Sequence, residues 1–382
     1  MRISLSEIDK SCFYKLLEIK DNNIEISNLL LSSFAYTNFI DISKLRNRIS
    51  NENEETAIKN IILDNFEVDS IEFRNSFFEQ VKMEKCNPSK YVNEYSKLLE
   101  KLKFCYGKYS LKKVTYEPYQ LFALDDIEIK DEKEISKVGY FDKPFSYAAL
   151  FEGKNLWMSL NPNEINTMAS AIEKAKGRVL VLGLGMGYIT FMLSNRKNVS
   201  SITVIERNKE NIALFKKYLL PLFPEKTKIT IIEDDAINFV KHYYKYDYIF
   251  ADLWFDAEDG LEYYLKLNEI ENNNNIKIDY WLETSLKQMR RRYLIELIKE
   301  QLEGSDETWY QSEQEISDRI FKTLYFQTKN IEIKSYDDIK ELLQWDLLKK
   351  SSLLVMDQAV LTLWDPQMHA NIYWKNIATL NP

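Results

Sequence analysis

The run Arg178-Val-Leu-Val-Leu-Gly183-Leu-Gly185-Met-Gly187-Tyr-Ile-Thr-Phe-Met-Leu193 constrains this chain more than any other stretch. Consecutive aliphatic residues without polar alternation suit a parallel strand covered on both faces, which implies a sheet with helices on either side. Glycines straight after such a strand permit a tight turn and a close approach of backbone to ligand. The apolar residues that follow begin a helix, whose first N–H groups point at the same space. The spacing is Gly-x-Gly-x-Gly, and Tyr188 stands where the dinucleotide pattern Gly-x-Gly-x-x-Gly needs its third glycine, which disfavours NAD and FAD. A strand-to-helix junction also takes glycine for structural reasons, so the turn alone leaves both readings open.

Three further strand signals follow. Ser201-Ile-Thr-Val-Ile205 ends on Glu206, about twenty residues after the glycines, where such sheets place an acid against ribose hydroxyls. Ile229-Thr-Ile-Ile232 runs into Glu233-Asp-Asp235-Ala236, and Tyr248-Ile-Phe-Ala251 ends on Asp252; residues Glu210 to Leu219 read as an intervening helix. Successive parallel strands thus carry acids at their carboxyl ends, the edge where open α/β sheets bind ligands.

With these motifs in place, residues from about 150 to 265 resemble the class I S-adenosylmethionine-dependent methyltransferase fold, and within it the spermidine-synthase-like branch. The matching pieces are Gly183-x-Gly185-x-Gly187, Val204-Ile-Glu206-Arg207, Asp235-Ala236 and Tyr246-Asp-Tyr-Ile-Phe-Ala-Asp252. The resemblance implies that the turn (Gly183, Leu184, Gly185, Gly187) faces the methionine part of the cofactor, Glu206 the ribose, and Asp235 with Ala236 the adenine, with Arg207 a further cofactor-binding candidate. Asp252 would then lie beside the reacting centre. Val181 stands where many methyltransferases carry an acid and the polyamine synthases tend not to. Other positions depart from that branch. Glu152-Gly153 replaces an Asp-Gly turn, a substrate-facing Gln is not found at its place, and only Glu164 of an acid pair is retained. Asn166-Thr-Met168 takes the place of a Tyr-His-Glu, and the family's Asp-x-x-Asp becomes Asp252 and Asp256, one residue further apart.

Composition narrows the function classes. A net charge of −8 argues against a general nucleic-acid binder, which needs a basic face for phosphates, and is compatible with a cationic small substrate. Three cysteines (Cys12, Cys86, Cys105) make no disulfide framework. The charged start Met1-Arg-Ile-Ser-Leu-Ser-Glu-Ile-Asp-Lys10 does not read as a signal peptide, and no apolar run reaches membrane-spanning length, so a cytoplasmic protein without membrane contact is expected. Only two histidines, His242 and His369, are present, which leaves few builders for a Ser-His-Asp triad or a histidine metal site; no metal is expected.

The chain divides into a helical N-terminal region (1–105), a β-rich lead-in (106–175), a Rossmann-like core (176–283) and a largely helical C-terminal extension (284–382). Asn272-Asn-Asn-Asn275 reads as a boundary or loose loop, 276–282 as a fifth strand, and Arg290-Arg-Arg292 as a solvated basic turn of a long helix. Short strands are expected at 329–334 and 361–364. Trp254 either walls a pocket or packs, and Asp256 with Glu258 and Asp259 is either a substrate site or an ordinary acidic loop.

The leading expectation is an S-adenosylmethionine-dependent transferase, a methyltransferase for a small molecule such as an amine, with Asp252 accepting a proton or orienting the substrate. Glu164, Tyr188, Trp254 and Asp256 are secondary substrate candidates. Two alternatives stay open: aminopropyl transfer from decarboxylated S-adenosylmethionine, and a nucleoside-binding sensor or scaffold without chemistry. A homo-oligomer is compatible with the helical appendages.

Overall fold

A computed structural model describes residues 1–242, 245–304 and 315–344. His369 and the strand signal at 361–364 lie outside the described residues. The centre is a five-stranded, all-parallel sheet: β1 (Gly177–Leu182), β2 (Val199–Glu206), β3 (Ile229–Glu233), β4 (Tyr248–Ala251) and β5 (Asp279–Tyr280). The strand order is β3-β2-β1-β4-β5. The chain steps outward from β1 to β3 and then crosses back to β4, so the order reverses between β1 and β4, where open α/β sheets leave a crevice at their carboxyl ends. Val179, Leu180, Val181 and Leu182 of β1 are fully buried, each contributing about 1.5–3 kcal/mol by burial. Their lack of alternation follows from helices on both faces.

The N-terminal region opens with the helix Glu7–Phe34, capped by Ser6, which buries Phe13, Leu16, Leu17, Ile26, Leu29 and Leu30 along one stripe. The region is not helical throughout. Val81–Lys85 is a strand that pairs in parallel with Lys133–Tyr140 of the lead-in, so the two expected units are interleaved. Val81-Lys-Met-Glu-Lys85 does alternate apolar and charged residues, but over a length too short to stand out beside long helices. A second, antiparallel sheet joins Cys105–Tyr106, Tyr109–Tyr116, Phe145–Glu152 and Asn155–Ser159.

Beyond the core, the asparagine run is no loose loop: the helix Ala257–Asn274 continues through it and stops at Asn275, whose φ of 50° is the left-handed conformation asparagine tolerates. The helices Glu283–Glu303, Ile316–Thr328 and Tyr336–Leu343 follow, and Glu332–Ile333 pairs in parallel with Arg2–Ile3, tying the two ends of the described chain together. No helix among the described residues is long and apolar enough to cross a membrane.

The three arginines of Glu283–Glu303 also depart from expectation. Arg290 is buried, Arg291 pairs with Glu132, and Arg292 grips both carboxylate oxygens of the buried Glu134, with Nε at 2.9 Å from Oε1. Lys20 of the first helix pairs with Glu296. Three successive helical positions point in different directions, and here each direction holds protein: Arg291 and Arg292 meet the hairpin that ends in Lys133–Tyr140, and Arg290 is buried beside Tyr264 of the helix Ala257–Asn274. Replacing Arg292 with Met strands a buried carboxylate, and we expect it to cost about 3 kcal/mol in urea unfolding. A loss below about 1 kcal/mol would show that the pair does not fasten this helix to the hairpin.

Candidate functional site

The turn after β1 takes its shape from glycine. Gly183 has a φ of 99°, and a Cβ there would lie 1.9 Å from the carbonyl oxygen of Asp252. The chain leaving β4 therefore runs against the turn, with the Asp252 N–H donating to the Leu182 carbonyl at 2.8 Å. Gly185, with a φ of 52°, has no atom within 4 Å of where its Cβ would stand. One glycine is thus required by contact, and the next faces open space.

The turn's backbone groups can be accounted for one by one. Gly183 N–H donates to the Ile205 carbonyl at 2.9 Å, and Gly187 N–H to the Leu184 carbonyl at 2.9 Å. Leu184 N–H donates to Glu206 Oε2 at 3.3 Å. The Gly185 carbonyl accepts from Asn211 Nδ2 at 3.3 Å, and the Met186 carbonyl accepts from the Tyr95 hydroxyl. Among the described residues, the N–H groups of Gly185 and Met186 donate to no protein acceptor.

Glu206, at the end of β2, is held in place by three donors. Besides Leu184 N–H it accepts from Asn208 N–H at 2.8 Å and Asn211 Nδ2 at 3.3 Å. Asn208 Nδ2 in turn donates to the Tyr109 hydroxyl at 3.2 Å, and Trp157 stacks on the Tyr109 ring at 4.7 Å. The lead-in therefore walls the side of Glu206. After β3, Asp235 accepts from Asn238 N–H at 2.9 Å, and Ala236 opens the helix Ala236–His242. Arg207 is exposed and bonds the Tyr263 hydroxyl.

Asp252 sits at the switch point. Burial, and then the charge of Glu206, pushes its carboxyl up to about 7. Glu164 enters from the first turn of the helix Pro162–Lys174, where Asn161 Oδ1 caps the helix by accepting from Glu164 N–H at 3.0 Å. Its carboxyl is held well above the usual carboxylate range by burial first and by Asp252 second. Tyr188, at the end of the glycine turn, is raised to about 12 by burial and by Glu164. Glu164, Asp252, Glu206 and Tyr188 thus share one electrostatic neighbourhood beside the turn. Among the described residues no lysine or arginine pairs with any of the three acids.

Two secondary candidates make structural contacts of their own. Asp256 is the N-cap of Ala257–Asn274: it accepts from Glu258 N–H at 2.8 Å and Asp259 N–H at 3.1 Å, while Asp259 accepts from Asp256 N–H. Trp254 is buried against Gly260, where a Cβ would approach its ring to 2.5 Å, and stacks with Tyr280. The residues the sequence reading missed are Tyr95, Tyr109, Asn208 and Asn211. Asn208 carries a cap signal, since it precedes a helix and accepts from Glu210 N–H and Asn211 N–H; the tyrosines carry none.

Acids that hold their protons more tightly folded than unfolded destabilise the fold as pH rises from the unfolded value to the folded one, and the loss persists above it. Glu164→Gln removes one such acid. At about pH 8 we expect this variant to melt at a higher temperature than the parent protein, with the gap closing as pH falls to about 4. A gap that does not change with pH would show that Glu164 is not held in this environment.

A spermine/spermidine synthase domain model matches residues 162–267, which span Glu164, the glycine turn and Asp252. Among solved structures, a conserved hypothetical protein from Streptococcus pyogenes is 19% identical over 27% of this chain and 61% of its own, with a TM-score of 0.23. A spermidine synthase from Thermotoga maritima is 16% identical over 39% of this chain and 55% of its own, with a TM-score of 0.27. The chain therefore spans less than two thirds of the length of either. No curated protein matches the sequence. The parallel core, with its glycine turn and strand-end acids, has a class I S-adenosylmethionine-dependent methyltransferase-like fold, and its residues 162–267 are similar to the spermine/spermidine synthase domain.

Proposed function

We propose that this protein transfers an aminopropyl group from decarboxylated S-adenosylmethionine to an amine. The observation that carries this reading is the convergence of Glu164, Asp252 and Glu206 on the glycine turn without a pairing lysine or arginine. Such a field favours a donor that carries a sulfonium and a free ammonium, and it penalises one that adds a carboxylate. The spermine/spermidine synthase match over the same residues supports it. The open face of Gly185, the held Glu206 and the acids at the switch point suit an adenosyl sulfonium.

When bound, the donor supplies an electrophilic carbon next to sulfur and a thioether that leaves with the bonding pair. The residues supply the rest. Glu206 would hold the ribose, and Asp235 with Ala236 the adenine edge. Asp252, made more basic by burial, takes the proton that the attacking nitrogen must lose as its bond to carbon forms. Glu164, beside it, opposes full ionisation of the pair, so that an arriving cation favours both carboxylates, and Tyr188 closes that side.

Methyl transfer from S-adenosylmethionine to an amine is the second reading. Two observations favour it: the free N–H groups of Gly185 and Met186 suit a carboxylate, and Asp256 is engaged as a helix cap rather than free to hold the far end of a diamine.

Incubating the protein with a diamine and each donor in turn, and identifying the nucleoside product by mass, separates the readings. We expect methylthioadenosine from the decarboxylated donor. S-adenosylhomocysteine from the intact donor would establish the second reading instead, and turnover of neither would contradict both. Asp252→Asn should lower kcat by about 100-fold or more and remove a rise of kcat/KM with pH through neutrality. A variant that keeps that rise would take the proton-accepting role away from Asp252.

A further inference from the structure

We propose that Tyr95, from the helix Glu94–Glu100 of the N-terminal region, is a positioning residue for the donor site: it holds the glycine turn in the shape that receives the adenosyl sulfonium. This rests on the reading of the site given above. Tyr95 is fully buried, and its ring packs on Phe191 at 4.8 Å, Phe223 at 5.9 Å and Tyr188 at 6.2 Å. Its hydroxyl donates to the carbonyl of Met186, 91 residues away in sequence and inside the turn.

Among the described residues that carbonyl has no other protein partner. The helix after the turn takes its first backbone bond from Phe191 N–H to the Gly187 carbonyl, so the Met186 carbonyl stands outside the ladder. The other end of the same peptide unit, Gly187 N–H, donates to the Leu184 carbonyl. Tyr95 and Leu184 therefore grip one peptide plane from both sides, and that plane lies one residue beyond the glycine that faces open space. Gly187, which bounds the plane on its C-terminal side with a φ of 83°, gives the backbone little resistance to rotation there. Without the hydroxyl, a buried carbonyl loses its partner, and rotating the plane becomes the cheapest way to find another. Rotation would reorient the turn's amides and change the surface offered to a ligand. The N-terminal region thereby contributes to the donor site through the Tyr95 hydroxyl.

Tyr95→Phe keeps the ring and its stacking and removes only the donor. Tyr140→Phe is the matched control: it deletes another buried tyrosine hydroxyl, which donates to Glu54 in a separate hydrophobic cluster. In the full-length protein we would measure the calorimetric affinity for methylthioadenosine and amide hydrogen exchange across residues 184–188. The proposal expects about 10-fold weaker binding and faster exchange across the turn in Tyr95→Phe, with neither change in Tyr140→Phe. Parental affinity in Tyr95→Phe, unchanged exchange in the turn, or equal weakening in Tyr140→Phe would each overturn it. A parent protein that binds no adenosyl nucleoside would sink the reading of the site itself, an outcome distinct from a Tyr95→Phe variant that binds as well as its parent.

Discussion

The chain leaving β4 lies so close to the turn after β1 that residue 183 has no room for a side chain, its Cβ position falling 1.9 Å from the Asp252 carbonyl oxygen. That approach fixes where Asp252 stands. The next residues of the turn then reach Glu206 through Leu184 N–H, and the first turn of Pro162–Lys174 adds Glu164. Three carboxyl groups gather where the strand order reverses, each making the next harder to ionise. The fold gives up stability there, since buried like charges oppose folding wherever they are ionised. A cation placed among them would return that stability, and this is the physical link between the glycine contact and the proposed chemistry.

Much of the core was legible in the sequence because its signals are local. Val179 to Leu182 form one aliphatic run, glycines follow at once, and Glu206 and Asp252 come directly after strands whose β-branched and aromatic residues announce them. Glu164 was legible only by resemblance, since an acid in the first turn of a helix is ordinary capping chemistry until the fold brings it to Asp252. Asp256 shows the reverse ambiguity. Asp256 with Glu258 and Asp259 reads as a substrate site or as an ordinary acidic loop, and in the structure Asp256 and Asp259 form a capping box whose carboxylates are claimed by backbone N–H groups at the start of the helix. Tyr95 carries no signal at all, because its partner is a carbonyl, and a carbonyl has no identity in a sequence.

The flanking regions were less legible for a related reason. Arg290, Arg291 and Arg292 look solvated when only their own helix is considered, but Glu132 and Glu134 of a distant hairpin meet two of them. The strand Val81–Lys85 is identified by its pairing with Lys133–Tyr140 more than by its own pattern. Such long-range pairings make the outer regions part of one structure with the core. The lead-in brings Tyr109 to Asn208 beside Glu206, and the N-terminal region brings Tyr95 to the turn, so the cradle is supported by residues that precede the matched domain.

The most direct test of the acid cradle is proton release. A positive ligand bound beside Glu164 and Asp252 must pull their protons off, because it favours the carboxylate forms that burial and mutual repulsion oppose. Calorimetric titration of decarboxylated S-adenosylmethionine near neutral pH, repeated in buffers of different ionisation enthalpy, counts those protons. The account predicts net release with the sulfonium and much less with the uncharged thioether methylthioadenosine. Equal proton counts for the two ligands, or net uptake with the sulfonium, would contradict it.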